Sequence, residues 1–509
     1  MSVEHYNTWT RIRAVLTSPS LYELARAIDW QPPVGKPRAN PDYVVLAYGI
    51  LARITRSGIR VELDLADQHT WAAARDLMVD TIDRSGYDLP PPGPRPPAWG
   101  HWRYLRNTRL ATDDGVALLG RTYPPVALAA ARRIGLLPAT GGPGSLTHPD
   151  ASRCVYGDGT LVRPMYRPPQ TIELANDDDS TTIAYSDPKT GQLLDHPPGR
   201  FDPDLRAHHG QGGPVLTHGY VCWHTRGSNP YTRIDLAAAH IPEPGAEAET
   251  AVTLLGDIHR VAGAGVQAAI YDGALRGTHI EHIMRRYGYL VLAKQHTDSA
   301  SDLAPADLTG TRLVRTPEGR RARSYPLGIV THQLPTGVCH HQIAAAGGHV
   351  VELDLDERGD PVIIRRLDRG PIKRARRAGG QYHFNVGYQL DCPLESFTVW
   401  LSPHPGKDGD TRRPEQLRVI PHTDPDSQRL YGLRSDAESF HSNYKRTLIV
   451  DRAMSLGWRR GLVDLYCFSL YNNALAEYRH RSHQDTHRAL RGVAGAPVSR
   501  APDLRLAER

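Results

Sequence analysis

The sequence is poor in paired cysteines, in long apolar runs and in lysine, and the first two shortages each argue against a class of protein. Its five cysteines stand singly, without a Cys-x-x-Cys pair, which argues against a disulfide framework and a thiolate zinc site. No run of about eighteen apolar residues occurs, and the N-terminus lacks the apolar segment of a signal peptide. We therefore expect a soluble intracellular protein with no membrane partner.

The charge balance excludes a strongly basic protein. The chain of 509 residues carries 61 basic and 55 acidic side chains, a net charge of +6, so any nucleic-acid surface must come from local clustering. Lysine is scarce, with six lysines against 55 arginines. A chain of this length is expected to divide into roughly two to four domains.

The apolar periodicity changes along the chain and predicts an α/β protein with a helical beginning. Strand-like runs follow Pro149, and an antiparallel β pattern replaces helical spacing from about residue 296. We predict a helical N-terminal module at 1–145, a catalytic domain at 146–295 and 427–481, a β-rich insertion domain at 296–426, and a flexible tail at 482–509.

One predicted helix of the N-terminal module has a basic face. In "WGHWRYLRNTRL", Arg103, Arg106 and Arg109 follow at three-residue spacing, so a helix places them along one side. The face is either a DNA-contacting surface or a plain solvated one.

The segment "YGLRSDAESFHSNYK", residues 431–445, combines residue types that suit phosphate chemistry. On one continuous helix, Tyr431, Arg434, Glu438 and Lys445 share a sector of about 60°. The carboxylate can hold a divalent cation while the cationic side chains bind phosphates. The alternative is a surface ion pair of Arg434 with Glu438, worth only a few tenths of a kcal/mol.

Two aspartates upstream stand in strand settings. Asp158 lies in "VYGDGT" and Asp272 closes "AAIYDG", where an Asp-Gly pair is also a common turn. A carboxylate near a core is costly unless it is paired, hydrogen-bonded or bound to metal. Together with Glu438, these residues would offer the oxygen ligands that Mg²⁺ or Mn²⁺ prefers.

The spacing Tyr-x2-Arg-x3-Glu-x6-Lys, with Asp158 and Asp272 upstream, resembles the DDE insertion-sequence transposases that carry the Tyr-Arg-Glu-Lys signature. The resemblance covers roughly residues 150–480. It implies an RNase H-like mixed sheet flanked by helices, with the first Asp on the first strand, the second after the fourth, and the Glu on a later helix. It also implies a β-strand insertion between the second Asp and the Glu.

The same resemblance implies roles and partners. Asp158, Asp272 and Glu438 would be the catalytic residues and would bind two Mg²⁺ (or Mn²⁺) ions. Tyr431, Arg434 and Lys445 would contact the DNA backbone beside the cleaved end. The partners would be double-stranded DNA, as terminal inverted repeats and target, and a second copy of the chain in a homodimer on DNA. The expected location is the bacterial cytoplasm, in association with the nucleoid.

The β-rich block adds two candidate DNA contacts and a histidine cluster. The run "RRLDRGPIKRARR" includes Arg374, Arg376 and Arg377 with a single acid, and beside a DNA-cutting site we expect phosphate contacts from it. Trp400 either stacks on a flipped base or packs in a core. "CHH" at 339–341, with His349, offers zinc ligands but lacks a second pair at ligand spacing.

Two other functions compete with a transposase. A domesticated RNase H-like DNA-binding protein or nuclease would keep the fold without transposing, although the intact acidic triad argues against it. A glycosidase would need two carboxylates at one apolar cleft and gives no role to Arg434 and Lys445. Short inverted repeats flanking the gene would favour the transposase over both.

Overall fold

The computed structural model describes most of the chain. The described residues are 8–28, 39–166, 170–175, 181–187, 190–194, 196, 200, 202–210, 213–229, 232–294, 312–316, 321–346, 349–406, 409–448 and 451–490.

The helices form a group at each end of the described chain, with two more in the middle. They are α1 (Thr8–Leu16), α2 (Pro19–Ala27), α3 (Asp42–Thr55), α4 (Gly58–Ala66), α5 (Gln68–Ser85), α6 (Trp99–Leu105), α7 (Asp113–Arg133), α8 (Glu247–Ala262), α9 (Gly277–His282), α10 (Arg412–Gln416), α11 (Pro425–Tyr431), α12 (Arg434–Arg446) and α13 (Trp458–Leu490). Short π-helical turns, Arg106–Leu110 and Ile283–Tyr287, extend α6 and α9.

The strands fall into four sheets. They are β1 (Cys154–Val162), β2 (Gln170–Ala175), β3 (Thr181–Ser186), β4 (Leu193–Leu194), β5 (Arg206–Gly210), β6 (Gly213–Thr225), β7 (Ile234–Ile241), β8 (Ala268–Ile270), β9 (Leu290–Leu292), β10 (Arg312–Arg315), β11 (Arg321–Leu334), β12 (Gly337–Ala346), β13 (His349–Leu355), β14 (Pro361–Arg366), β15 (Asp368–Arg376), β16 (Tyr382–Leu390) and β17 (Phe397–Leu401).

The central sheet is mixed, as the sequence predicts for an α/β protein. β1 and β7 pair antiparallel with β6, while β8 and β9 continue the sheet from β1 in parallel. β5 pairs with the first half of β6, and β2, β3 and β4 form a separate small sheet. Between β9 and α10 the chain builds a closed barrel of β10–β14 and a three-stranded sheet of β15–β17.

The N-terminal helices share one hydrophobic core with the central sheet. α3 is buried along its length from Tyr43 to Arg53, and α13 packs against it as well as against α1, α7 and β7. A single cluster of buried side chains runs from Ile12 to Ala476. The described N-terminal residues are therefore helical, as predicted, and their buried side chains belong to the same core as those of the sheet. The domain boundaries stay predictions.

Two expectations about helices are wrong. α13 continues to Leu490, so the described chain stays helical eight residues beyond the predicted start of the tail at 482. The helix expected to run unbroken from Tyr431 is interrupted at Gly432 and Leu433, which separate α11 from α12. Within the described residues, no helix is apolar over a length that would cross a bilayer.

Candidate functional site

Asp158 and Asp272 lie at the same edge of two neighbouring parallel strands. β1 and β8 pair in parallel up to Tyr156 opposite Ile270, and Asp158 and Asp272 each follow this last pair by two residues. The charges of both aspartates act on Glu247, Tyr431 and Arg434, so the two carboxylates share one neighbourhood. Asp158 is 8% exposed. Asp272 also forms the predicted turn, since its Oδ1 accepts a hydrogen bond from the Ala274 N–H at 2.8 Å.

Helix α12 carries Glu438 to this edge and packs on β1. Its apolar stripe is buried as the periodicity predicts: Leu433, Ala437, Phe440, Tyr444 and Leu448. At the break before α12 the chain forms a tighter helical turn and does not change direction. Gly432 and Leu433 keep right-handed helical torsions, and the Leu433 N–H donates to the Leu430 carbonyl three residues back. Tyr431 therefore ends a separate helix yet stays beside Arg434.

Arg434 bridges two of the predicted metal ligands. One Nη donates to Glu438 Oε1 at 2.9 Å, and the other lies 3.4 Å from Asp158 Oδ1. Burial works against its charged form, but the surrounding acidic side chains outweigh burial and the pKa of Arg434 is raised. The ion pair suggested by the sequence exists, and it reaches beyond the helix surface to the strand carboxylate.

Lys445 lines the same cleft. The cleft has a volume of about 750 Å³, and Asp158, Glu438 and His441 also line it. Burial lowers the pKa of Lys445, while Asp451 and Asp158 partly offset this effect. Among the described residues, the Lys445 ammonium forms no ion pair or hydrogen bond, although the charges of Asp451 and Asp158 act on it. A half-buried ammonium without a partner can bind an anion that enters the cleft.

Glu247 is a fourth carboxylate at this edge, and no sequence motif marks it. It opens helix α8 and approaches β1 from the face opposite α12, where a Cβ on Gly159 would lie 2.5 Å from its Oε1. The Tyr271 hydroxyl donates to Glu247 at 2.9 Å. Burial raises the pKa of Glu247, and the charges of Asp272 and Asp158 raise it further. Its electrostatic coupling ties it to the acidic site.

Two buried residues of α12 anchor this arrangement. Asp436 accepts a hydrogen bond from the Tyr156 hydroxyl at 2.6 Å and forms ion pairs with Arg226 and Arg233 at 3.3 and 3.1 Å. His441 Nδ1 lies 3.7 Å from Asp158 Oδ2, and burial lowers the pKa of this histidine. Asp436 thus fixes the helix on β1, and His441 borders the Asp158 carboxylate.

The donor set fits a hard divalent cation. Asp158, Asp272 and Glu438 offer carboxylate oxygens only, which suits Mg²⁺ or Mn²⁺ better than softer metals. In the described structure the oxygens of these three carboxylates do not all lie within 4.8 Å of one another, and the guanidinium of Arg434 pairs with Asp158 and Glu438, so side-chain movement is needed to close a metal site. Asp158, Asp272 and Glu438 are the residues that would hold the metal.

In the first half of the basic run, Arg365 and Arg369 form ion pairs within the fold and do not present a free basic surface. Arg365 pairs with buried Glu352, and Arg369 is 7% exposed and bonds Asp424 at 2.6 Å. These pairs correct the expectation that the whole run faces DNA.

The second half of the run lies on the edge strand β15 and the following turn. Arg374 donates to the Gly288 carbonyl at 2.5 Å and stacks on Tyr382, over which Arg376 also lies. The Arg377 side chain is exposed and has no partner among the described residues. Trp400 is 39% exposed, with Lys373 Nζ 3.8 Å from its ring centre. Trp400 is therefore not a core residue.

The basic face predicted in the N-terminal module does not form. Arg106 is 8% exposed, donates to Ser455 at 2.7 Å and lies 3.6 Å from Asp464. Its place at the start of a π-helical turn directs it into the core, away from exposed Arg103. A DNA surface made of Arg103, Arg106 and Arg109 together is excluded.

Comparison with known proteins gives no relative: no family model, no curated protein and no solved structure matches this chain.

Proposed function

We propose that this chain is a DDE-type transposase that cleaves DNA at the ends of a mobile element and joins them to target DNA. The observation that carries the proposal is Arg434, which pairs with both Asp158 and Glu438 at a cleft that Lys445 also lines. A helix-surface ion pair alone would not extend to a buried strand carboxylate. The charges of Asp158, Asp272 and Glu438 act on both Tyr431 and Arg434, and that of Asp158 also acts on Lys445, which supports a shared site.

The strand arrangement supports an RNase H-like reading of the fold. Apart from the short strand β5, which pairs with the first half of β6, the central sheet has three antiparallel strands, β1, β6 and β7, followed by two parallel ones, β8 and β9. Asp158 lies on the first of these, Asp272 follows the fourth, and Glu438 lies on a later helix. The barrel and the three-stranded sheet occupy the place between the second Asp and the Glu, as in the family that the motif resembles.

Two bound Mg²⁺ or Mn²⁺ ions would activate the attacking water or 3′-hydroxyl and stabilise the leaving oxygen. Asp158, Asp272 and Glu438 would hold the ions, and Glu247 would add negative charge from the opposite face. Lys445 contacts a phosphate beside the scissile bond, with Arg434 and Tyr431 next to it. Arg376, Arg377 and Trp400 lie on a separate sheet and contact DNA further from the reaction.

The test is cleavage of a supercoiled plasmid that carries the DNA flanking this gene, with Mg²⁺ or Mn²⁺ present. The wild type should nick at the gene's ends, and Asp158→Asn, Asp272→Asn and Glu438→Gln should each abolish nicking while end binding persists. Glu249→Gln, an exposed carboxylate on α8, is the control and should cleave normally. Full cleavage by any of the three variants would reject the assignment.

A further inference from the structure

Three ligand atoms of the kind that zinc prefers meet in the β-rich block, far from the acidic site in sequence. The Sγ atoms of Cys339 and Cys392 and a ring nitrogen of His341 all lie within 4.8 Å of one another. Cys339 and His341 are two residues apart on β12, so their side chains share one face. Cys392 comes from the turn between β16 and β17, and all three thiol and imidazole groups converge there.

A second histidine, His332, lies next to these three residues, outside the group whose ligand atoms are within 4.8 Å of one another. His332 on β11 is paired directly with Cys339 across the hairpin, which places both side chains on the same face. The His332 ring interacts with the Cys392 thiol and packs on Phe397 with ring centres 4.1 Å apart. Its Nδ1 is buried and has no hydrogen-bond partner among the described residues.

His341 is already oriented as a metal ligand. Its Nδ1 is 2.6 Å from Oε1 of buried Glu352, whose other oxygen pairs with Arg365. This hydrogen bond places the ring proton on Nδ1, so the lone pair of Nε2 points away from Glu352. His341 is only 4% exposed, so Nε2 is buried, and within the described chain Nε2 has no hydrogen-bond partner. A buried acceptor without a partner is costly unless a ligand satisfies it.

We propose that this cluster binds one structural Zn²⁺ through four side chains: Cys339, Cys392, His341 and His332. Two thiolates and two imidazoles in a tetrahedron, with no open position, are typical of structural zinc. Bond lengths of about 2.3 Å to sulfur and ~2.0 Å to nitrogen put such donors ~3.3–3.8 Å apart, so small side-chain movements close the site.

The metal would fasten the barrel to the neighbouring three-stranded sheet. β11 and β12 belong to the barrel, and Cys392 belongs to the sheet that carries Trp400 and Arg377. Of the candidate zinc ligands at 339–341 and 349, only Cys339 and His341 belong to this cluster. His340 is exposed and bonds Thr331, and His349 bonds Thr423 at 2.7 Å. This site is independent of the proposed DNA chemistry.

The experiment is metal analysis of the full chain, purified with reductant and without chelator. Mass spectrometry of the metals should find one zinc per chain in the wild type and in His340→Ala, the neighbouring-histidine control. Cys392→Ser and His341→Ala should lose it. A wild type that contains no zinc and takes up none in a titration against a chromophoric chelator would overturn the proposal.

Two further measurements separate ligand loss from misfolding. Glu352→Gln keeps all four ligands but weakens the hydrogen bond that orients His341, and should lower zinc affinity by 10- to 100-fold in the same chelator titration. With Co²⁺ in place of zinc, wild type and His340→Ala should show thiolate-to-cobalt charge-transfer absorption, and folded Cys392→Ser and His341→Ala should lose it together with the metal. Unchanged zinc affinity in Glu352→Gln, or a Cys339–Cys392 disulfide in protein purified with reductant, would refute the site.

Discussion

Replacing Asp436 with asparagine should destabilise the protein without disabling the acidic cleft. The carboxylate is 8% exposed and receives the Tyr156 hydroxyl at 2.6 Å on one oxygen. Arg226 and Arg233 lie 3.3 and 3.1 Å from the other. An amide has one acceptor oxygen, so either the hydroxyl or the arginines lose their partner, and two buried guanidiniums lose their counter-charge.

The magnitude follows from those partners. Breaking a buried ion pair by removing one side costs about 3–5 kcal/mol. Arg233 keeps its bonds to the Asp436 carbonyl at 2.7 Å and to Asn472 at 3.1 Å, so we expect the lower end, about 3 kcal/mol. Urea unfolding followed by tryptophan fluorescence should show a lower midpoint with an unchanged slope. Mn²⁺ binding by calorimetry should match the wild type.

Asp158→Asn is the matched control, because it changes a second buried aspartate facing the same helix. Arg434 keeps Glu438 as a partner, and an amide at 158 relieves repulsion from neighbouring acids, so stability should change by less than about 1 kcal/mol. Mn²⁺ binding should be lost. If Asp158→Asn destabilises the fold as much as Asp436→Asn and leaves Mn²⁺ affinity intact, Asp158 is a structural ion-pair residue and the reasoning fails.

Three further outcomes are expected. Lys445→Ala should slow nicking by one to two orders of magnitude, for ~1.4–2.8 kcal/mol of lost transition-state contact, while Mn²⁺ affinity stays unchanged. Lys445→Arg should recover part of the rate. Nicking by Lys445→Ala at the wild-type rate would show that this lysine has no role in cleavage. Arg377→Ala should reduce the slope of log K for DNA binding against log salt concentration by up to ~0.9, and equal slopes for this variant and wild type would contradict the proposed contact. Arg374→Ala loses the hydrogen bond to the Gly288 carbonyl, so its free energy of unfolding should fall by ~1–2 kcal/mol, seen as a lower urea midpoint. Glu247→Gln should weaken Mn²⁺ binding about tenfold, ~1.4 kcal/mol, while Glu249→Gln should not, as calorimetry can show.

The sequence could indicate the acidic triad because each member has a local signature. Asp158 interrupts an apolar strand run, Asp272 ends one, and Glu438 has basic neighbours at helical spacing. Glu247 has no such signature: it reaches the site only because Gly159 leaves room above the strand, a relation between distant segments.

Other errors have the same physical origin. Arg106 looked like part of an exposed face, but a π-helical turn changes the periodicity at that residue and buries it beside Asp464. The sequence alone does not group Cys392 with Cys339 and His341, because Cys392 lies far along the chain from Cys339. Only strand pairing and a turn between strands bring their sulfur atoms together.

The long helix α13 has a consequence for cooperativity. α13 packs on α1, α3, α7 and β7 at the same time. The first and last described helices therefore cover the same apolar core. Opening either terminus exposes the back of the sheet that bears the carboxylates, so the N-terminal helices and the sheet should exchange amide hydrogens as one cooperative unit. The barrel, whose small separate cluster includes Val351 and Leu353, is free to open at a lower free energy.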